Sequence, residues 1–466
     1  MNLRTARSLR APTKESTTCP FLKAKTEGMD CTPKAWAVRG FLSTSTATNS
    51  TDPALSSTTF SKMGVKTRQG PHQAAQRSTT TGNVAERSRT LALKVASVAL
   101  FTFSHYRRSL TPLPHSLLAS STMETITGID VEPVTDWLVK HVGLMAPLRF
   151  ELIAGGRSNL TFRVTDALFR AVALRRPPVS HVLPTAHDMV REHTVIAALE
   201  PLGIPVAKPL GLCTDASVNA APFYVMEFVD GYILRDREQA EVDFDEATRA
   251  TIGENLAATL ASLHDIDVDR AGLGDLARHD GYLERQLRRW RTQYEQMHVD
   301  GADHHRLIEE VGDRLAARVP AQQRTSIVHG DYRLDNTVLD QTGAIAAILD
   351  WEICTLGDPL ADVGLMLDYW AEPADEMSAL LGVAPTTAPG FITRAQLLEA
   401  YARHSNLDLS GVAYYQSFGY WKLACILQGV YARYRAGATA GDQGSVADFP
   451  THIATLADLA RQILEQ

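Results

Sequence analysis

Apolar and polar residues alternate over much of the chain between residues 148 and 230. A two-residue period with β-branched content indicates strands, and it occurs in RFELIA, LTFRVT, RAVALR, KPLGLC and PFYVMEF. One segment with helical spacing interrupts them, PTAHDMVREHTVIAALEPLG, in which Thr185 is the expected N-cap and Gly203 the stop signal. This part of the chain therefore predicts a small, largely antiparallel sheet with one inserted helix.

Helical spacing of apolar residues dominates the rest of the chain. A short amphipathic helix is predicted at residues 132–142, and five longer ones are predicted after residue 230, in DEATRATIGENLAATLASLHDID, YLERQLRRWRTQYEQM, RLIEEVGDRLAARV, RAQLLEAYARHS and YYQSFGYWKLACILQGVYARYRAG. Two strands among these helices, NTVLD and AIAAILDW, are joined by QTG and predict a β-hairpin with arms of about five to seven residues. We expect an α+β fold, with a sheet domain at 123–230 and a helical domain at 231–466.

Residues 1–122 show neither pattern. They are rich in Ser, Thr and Arg and hold 17 Lys and Arg against 5 Asp and Glu, a net charge of +12, whereas the remaining residues carry −19. Such a segment buries too little apolar surface to offset its ordering entropy. A transit peptide, a disordered tail, and upstream sequence before a true start at Met123 are the three interpretations. A segment of about 120 residues is long for a transit peptide, which favours the last two interpretations. We expect a disordered extension.

Composition narrows the function classes. The acidic main part argues against nucleic acid as a partner, because phosphate-binding surfaces are basic. No apolar run reaches the roughly 18–20 residues of a membrane span, so no membrane partner is expected. The five cysteines are scattered without a C-x-x-C pair, which indicates reduced thiols in a cytoplasmic protein. No protein partner can be deduced from the sequence.

Polar groups are dense in VHGDYRLDN, residues 328–336, directly after the strand-like TSIV. The spacing H-x-D-x-x-x-x-N is that of kinase catalytic loops, in which the aspartate is the base and the asparagine binds a metal ion. Asp331 is thus the candidate base, and Arg333 of the same loop is a further catalytic candidate. The hairpin that follows returns the chain beside Asn336, so that Asp350 in LDWE joins Asn336 as an oxygen ligand for Mg²⁺. The alternative is that these residues cap a turn and end a strand.

A kinase mechanism also requires a phosphate-binding turn upstream, and IAGGRSNLTF supplies one between two predicted strands. Backbone groups in such a turn can bind the phosphate oxygens of ATP. The candidates are Gly155, Gly156, Ser158 and Asn159, with the backbone of the last two included. An ordinary hairpin turn is the competing interpretation of this segment.

A basic side chain on the next strand should reach the nucleotide phosphates. Alternation in RAVALRRPP selects Arg175, and Glu192 on the predicted helix is the acid that would orient it. The strand FYVMEFVDG is predicted to join two lobes, with the backbone of Glu227 and Phe228 at an adenine edge and Met226 packed nearby. The alternatives are a surface arginine, a helix glutamate and a buried strand with a core methionine.

These motifs, in this order, resemble the aminoglycoside phosphotransferase/choline kinase family, which has a protein-kinase-like fold. The segments VMEFVDG, IVHGDYRLDNTVLD, AILDWEICTLGDPLADVG and QGVYARYRAG are most like the kinase domain of acyl-CoA dehydrogenase fusion proteins and its stand-alone bacterial relatives. The resemblance covers about residues 145–440. It implies a bilobal molecule with a small antiparallel-sheet N-lobe that contains one helix and a large, mainly helical C-lobe.

The resemblance also implies roles for individual residues. Asp331 would be the catalytic base, and Asn336 and Asp350 would be the magnesium ligands. Asp362 would brace the catalytic loop, and His329 would organise it from a buried position. One residue departs from the pattern, since most kinase-like enzymes have a lysine where this chain has Arg175, although an arginine still offers a permanent charge and a planar fork to phosphate oxygens.

The resulting hypothesis is an ATP- and Mg²⁺-dependent kinase that phosphorylates a hydroxyl group of a small molecule. Lys422, Ile426, Gly429 and Arg433 fall on one helical face, which suits an anionic, partly apolar acceptor, and the resemblance implies a hydroxyacyl-CoA. A solvated helix face is the competing interpretation. The alternative functions are an aminoglycoside-type antibiotic kinase and a catalytically silent nucleotide-binding module.

Overall fold

The alternating segments form one five-stranded antiparallel sheet with the order β1-β2-β3-β5-β4. The computed structural model describes residues 126–154, 159–179, 188–297, 299, 304–381, 384–436 and 448–466. The strands and the two helices of this first lobe are α1 (Val131–Val142), β1 (Arg149–Ala154), β2 (Leu160–Thr165), β3 (Ala171–Arg176), α2 (Met189–Leu199), β4 (Pro209–Cys213) and β5 (Phe223–Glu227). The predicted sheet with an inserted helix is confirmed, and α1 precedes it.

The two faces of the sheet pack against different cores because side chains alternate along each strand. Val172 and Leu174 point to a core that includes Leu138 of α1. Ala173 and Met226 belong instead to the large core that continues into the second lobe. Alternation therefore places Arg175 on the same face of β3 as Ala173, the face toward the second lobe.

Helix α2 begins later than the sequence predicts. Its N-cap is Asp188, whose side chain accepts a hydrogen bond from the Arg191 N–H at 3.0 Å. The predicted cap, Thr185, lies outside the described residues. A 3₁₀ turn at Glu200–Leu202 follows α2, and Gly203 ends it in the left-handed conformation (φ 79°) that favours glycine.

The second lobe is mainly helical. Its helices are α3 (Arg237–Asp243), α4 (Glu246–His264), α5 (Tyr282–Gln296), α6 (His305–Ala316), α7 (Leu360–Tyr369), α8 (Glu376–Leu381), α9 (Arg394–Arg403), α10 (Val412–Arg435) and α11 (Phe449–Glu465). Its strands are β6 (Ser326–Val328), β7 (Thr337–Leu339), β8 (Ile345–Ile348) and β9 (Thr355–Gly357), which pair as β6–β9 and β7–β8. The bilobal arrangement confirms the predicted fold class. No helix of the described segments is long and apolar enough to cross a lipid bilayer.

The predicted hairpin is present, with shorter arms than expected. Strands β7 and β8 have 3 and 4 residues, and Thr337 pairs with Ile348. The near arm ends early because the Asp340 carboxylate accepts hydrogen bonds from the N–H groups of Thr342 (2.8 Å) and Ala344 (3.0 Å), which turns the chain. The far arm ends before Asp350, which has a positive φ of 64°.

Candidate active site

The predicted catalytic loop folds into a buried turn between β6 and β7. Asn336 donates from Nδ2 to the main-chain oxygen and to Oδ2 of Asp331, both at 2.9 Å. Arg333 is buried, with Nε 3.4 Å from Asp331 Oδ2 and 3.0 Å from Asp335 Oδ1, and its guanidinium lies 4.7 Å from the centre of the Tyr369 ring. The three candidates of this loop therefore contact one another.

Asp362 at the start of α7 holds the backbone of this loop. Its two carboxylate oxygens accept the N–H groups of His329 (2.6 Å) and Gly330 (2.8 Å). Burial by itself raises the pKa of Asp362, but the hydrogen bond and charge of His264 and these contacts lower it overall. Asp362 is thus an ionised carboxylate placed to brace the loop, as the family resemblance implies.

The His329 ring links the loop to the hairpin. A backbone N–H can only donate, so the Asp331 N–H, 3.3 Å from His329 Nδ1, makes that nitrogen the acceptor. In the neutral ring Nε2 then carries the proton and donates to the Leu349 carbonyl at 2.9 Å. Burial lowers the pKa of His329 and so favours this neutral form, although the negative charge of Asp362 acts in the opposite direction.

The side chain of Asp331 has the properties of a base that works near neutral pH. Burial raises its pKa to about 7, the neighbouring Arg333 opposes that rise, and the carboxylates of Asp335 and Asp350 add to it. General bases are most effective when their pKa lies close to the working pH. The environment of Asp331 therefore suits proton removal from an alcohol.

The hairpin brings Asp350 to the catalytic loop. The Leu349 N–H donates to the Asn336 carbonyl at 2.8 Å, so the two candidate metal ligands leave adjacent strand ends. Asp331 and Asp350 both line one cavity of ≈ 280 Å³ whose lining residues all belong to the second lobe. Residues 19 positions apart in sequence are thus brought together as the spacing predicted.

Arg175 connects this carboxylate group to the first lobe. Its guanidinium donates from Nε to Glu192 Oε2 (2.9 Å) and from Nη2 to Asp350 Oδ1 (2.5 Å), and Nη2 lies 3.6 Å from Glu352 Oε2. The predicted pair of Arg175 and Glu192 is therefore present with good geometry, despite the arginine. The direct contact between Arg175 and Asp350 was not predicted.

Several contacts of the candidate residues were not predicted from the sequence. Tyr224 donates its hydroxyl to Glu192 Oε2 (3.0 Å), and Thr161 Oγ1 accepts a bond from Arg175 (3.3 Å). Asn159 was expected to offer its backbone to phosphates, but its side-chain amide donates to Glu192 (2.8 Å) and to Glu352 (3.2 Å). The sequence pattern DWE was the only signal for Glu352. The other turn candidates, Gly155, Gly156 and Ser158, lie outside the described residues.

The predicted adenine-binding segment ends β5. Met226 is buried in the core, as the competing interpretation of this strand states, and the Phe228 ring packs under the Arg163 guanidinium at 4.6 Å. The Glu227 N–H donates to the Lys208 carbonyl at 2.8 Å, so that donor is already used. The prediction for adenine therefore depends on the Glu227 carbonyl and the backbone of Phe228.

The oxygen donors at the mouth of the hairpin fit a magnesium ion. Asn336 turns its Nδ2 toward Asp331, which leaves its amide oxygen on the other side for a cation. Asp350 adds a carboxylate, and Mg²⁺ prefers one or two such protein ligands together with phosphate oxygens. No group of three or more His, Cys, Asp or Glu side chains in the described segments is arranged to hold a metal ion by itself. This donor set would therefore share the ion with a bound nucleotide.

The cavity continues away from Asp331 along a wall of α5, α7, α8, α10 and α11. Its basic members are Arg289, Lys422 and Arg433, and its apolar members are Leu365, Met377, Leu380, Leu423, Ile426, Leu427 and Leu456. Three of the four predicted residues on the α10 face, Lys422, Ile426 and Arg433, line this wall. A Cβ added at the fourth, Gly429, would lie 3.7 Å from Arg433 Nη1. The face is thus a cavity wall and not a solvated surface.

Comparison with known proteins identifies the family. The model of the phosphotransferase enzyme family matches residues 149–406, more than half of the chain. The chain belongs to the phosphotransferase enzyme family. This match confirms the resemblance drawn from the motifs, and the matched region includes every candidate of the catalytic loop and the hairpin.

This phosphotransferase-family chain is similar to parts of longer proteins. It is 32% identical over 321 residues to acyl-CoA dehydrogenase family member 10 of Mus musculus, which covers 67% of this chain and 29% of that protein. It is 34% identical over 293 residues to family member 11 of Gallus gallus, covering 61% and 36%. The chain spans about a third of the length of these curated relatives.

A solved structure has the same architecture over almost its whole length. It comes from Ralstonia eutropha JMP134 and is provisionally described as an aminoglycoside phosphotransferase. It is 30% identical and covers 72% of this chain and 98% of its own, with a TM-score of 0.62. The fold described above is therefore shared over 98% of the length of that chain.

Proposed function

We propose that this chain transfers the γ-phosphoryl group of ATP, with Mg²⁺, to a hydroxyl group of a small anionic acceptor that carries an apolar chain. A hydroxyacyl-CoA has this chemistry. One observation carries the proposal: a single cavity joins Asp331 and Asp350 at one end to a basic and apolar wall at the other. An acceptor bound along that wall would present its hydroxyl group to Asp331.

Each residue has a task in the proposed transfer. Asp331 accepts the hydroxyl proton while the oxygen bonds to the γ-phosphorus and the bond from that phosphorus to the bridging oxygen of ADP breaks. Asn336 and Asp350 would hold Mg²⁺, which when bound neutralises charge on the β- and γ-phosphates. Glu192 orients Arg175 beside the same phosphates. Most of the rate gain in such a site comes from position and electrostatics.

Arg175 has to exchange one partner during this reaction. In the structure its Nη2 donates to Asp350, the residue proposed to bind the metal ion. Its bond from Nε to Glu192 uses a different edge of the guanidinium, so Arg175 can keep Glu192 while Nη2 turns to a phosphate oxygen. This division between two edges is available to an arginine and not to a lysine.

The acyl-CoA assignment rests on the chemistry of the wall and on the relatives. Cationic side chains at Arg289, Lys422 and Arg433 would attract phosphate or carboxylate groups, and the leucine-rich part would bury an acyl chain. The curated relatives are named as acyl-CoA dehydrogenases. A polycationic aminoglycoside would face like charges at this wall, which makes it the poorer acceptor.

A silent nucleotide-binding module is the second candidate. The observation in its favour is the ion pair between Arg175 and Asp350, because it occupies a proposed metal ligand. Against it, the base and both proposed ligands are intact. The two candidates differ in turnover and agree on nucleotide binding.

The deciding experiment measures ADP release by the purified full chain with Mg·ATP and a panel of acceptors. The panel contains hydroxyacyl-CoA esters of increasing chain length, the matching acyl-CoA esters without the hydroxyl group, and kanamycin. We expect ADP release with hydroxyacyl-CoA alone, rising with chain length, and its loss in Asp331→Ala. Phosphorylated product is confirmed by mass spectrometry.

Three outcomes would overturn the proposal. ADP release with kanamycin and not with any hydroxyacyl-CoA would reverse the acceptor assignment. Equal release with acyl-CoA that lacks the hydroxyl group would show hydrolysis and not transfer. Binding of an ATP analogue in a thermal shift assay, with no turnover on any acceptor, would establish the silent module.

A further inference from the structure

Lys422 on α10 is a buried cation to which the proposed function gives only a place in the acceptor wall. Its side chain is 9% exposed, and Nζ donates to the Gly330 carbonyl at 3.1 Å. It lines the main cavity together with Asp331, and its Nζ lies 5.8 Å from the centre of the Trp290 ring. Lys422 therefore connects helix α10 directly to the backbone of the catalytic loop.

The carbonyl that Lys422 binds belongs to the peptide group that leads into Asp331. The N–H of the same peptide group donates to His329 Nδ1 at 3.3 Å, so both of its polar ends are held. The preceding peptide N–H, at Gly330, is held by Asp362. Asp362 thus fixes the loop before Gly330, and Lys422 fixes the peptide after it.

Gly330 is the place where this loop would otherwise rotate. Its φ of 86° lies in a region that glycine enters freely, and an added Cβ would meet Ile353 at 3.1 Å. A glycine next to the base lets the following peptide flip at low cost. A donor on the Gly330 carbonyl removes that freedom, and the carboxylate of Asp331 then points into the cavity.

A charged donor is expensive at this position, which argues for a task. Burial lowers the pKa of Lys422, while the carboxylates of Asp331 and Asp362 oppose that change. A neutral side chain would fill the same space between α10 and the loop without the desolvation cost. The acidic groups that face Lys422 are those of the catalytic loop and its brace.

We infer that Lys422 is a positioning residue of the phosphoryl-transfer site: its ammonium group holds the Gly330 carbonyl and so fixes the direction of the Asp331 carboxylate. The inference rests on the proposed function for its kinetic part. Its structural part, that the loop is held by this donor, stands on the hydrogen bonds alone.

The test compares Lys422→Met, which keeps the length of the side chain, with Lys422→Arg, which keeps the donor and the charge. With Mg·ATP and a hydroxydecanoyl-CoA, we expect Lys422→Met to lower kcat roughly ten- to a hundredfold, the effect of one charge-assisted hydrogen bond. The KM for ATP should stay within about twofold, because Lys422 lies at the acceptor end of the cavity. Lys422→Arg should recover most of kcat. Arg435→Met removes an exposed charge from the same helix and is the control.

Hydrogen exchange supplies a readout that does not depend on the reaction. Peptides that cover residues 328–336 should exchange faster in Lys422→Met than in the unmodified chain and in Lys422→Arg, while peptides from the first lobe stay unchanged. If the unmodified chain transfers no phosphoryl group, the proposed function fails and this measurement alone decides the inference. Unchanged exchange in that segment, or a rise in the acceptor KM with kcat intact, would overturn it.

Discussion

The buried contacts of Arg175 allow a quantitative prediction about stability. Its guanidinium is 4% exposed and bonds to Glu192, Asp350 and Thr161, with Glu352 nearby. Arg175→Met leaves the Glu192 carboxylate buried without its cation. Removal of one partner from a buried pair costs about 3–5 kcal/mol, so we expect the free energy of unfolding to fall by that amount.

The conservative change should cost less and still be measurable. A lysine at this position can reach Glu192 or Asp350 but cannot donate to both from separate edges. Arg175→Lys therefore loses one charge-assisted hydrogen bond, worth about 1.5–3 kcal/mol. Because the cost in Arg175→Met comes from an uncompensated carboxylate, adding Glu192→Gln to it should restore part of the stability.

Urea unfolding of the metal-free protein at constant pH and salt measures these differences. Arg270→Met is the matched control, since Arg270 pairs with Asp267 at 3.5 Å on the surface and should contribute nothing measurable. The reasoning is refuted if Arg175→Met is as stable as the control. It is also refuted if Glu192→Gln makes Arg175→Met less stable, because the charge would then not be the cause.

Three further predictions concern single carboxyl groups. Asp362→Asn keeps one acceptor oxygen for the N–H groups of His329 and Gly330, so one of these two N–H groups stays unpaired. The free energy of unfolding should fall by about 1–3 kcal/mol, and kcat should fall as well. Burial raises the pKa of Asp368 well above its usual value, and the attraction of Arg394 opposes that rise. The folded protein therefore loses stability as pH rises from the pKa of this aspartate in the unfolded chain toward its higher pKa in the folded one. Asp368→Asn should therefore gain in melting temperature over the unmodified chain as pH increases from 5 to 8, and a constant difference would contradict this. The pKa of about 7 at Asp331 predicts that kcat/KM rises as pH increases through that value. Assays of ADP release at a series of pH values measure this, and a kcat/KM that does not change with pH would exclude Asp331 as the base.

Local sequence patterns were sufficient to predict most of the sheet. RFELIA and LTFRVT match β1 and β2 residue for residue, because polar and apolar residues alternate over most of each segment. The predicted start of α2 was wrong because more than one residue before the helix can act as an N-cap. Which of them does so depends on the side chain that reaches the Arg191 N–H, and that side chain belongs to Asp188. Helices α3, α7, α8 and α11 were not predicted, although FPTHIATLADLARQILE of α11 has helical spacing.

The candidate site also contains contacts that the sequence predicts and contacts that depend on tertiary packing. Spacing was enough to place Asp331, Asn336 and Asp350 together, because a hairpin has only one way to return the chain. The contact of Arg175 with Asp350 needs the distance between two lobes, which no local pattern contains. Lys422 was expected at the acceptor, and its bond to the catalytic loop likewise depends on how α10 packs.

The arginine at position 175 has a physical explanation in the number of carboxylates around it. Glu192, Asp350 and Glu352 all lie within 3.6 Å of the guanidinium, on both lobes. A lysine ammonium is a point charge that can approach one of them closely, whereas the planar fork serves Glu192 and Asp350 at once. If this is why the chain departs from lysine, Arg175→Lys should be less damaging when Glu352→Gln removes one of the carboxylates. A double-mutant cycle on unfolding free energy and on ATP-analogue binding should then show positive coupling between the two positions, and additive effects would mean that Glu352 has no part in the choice.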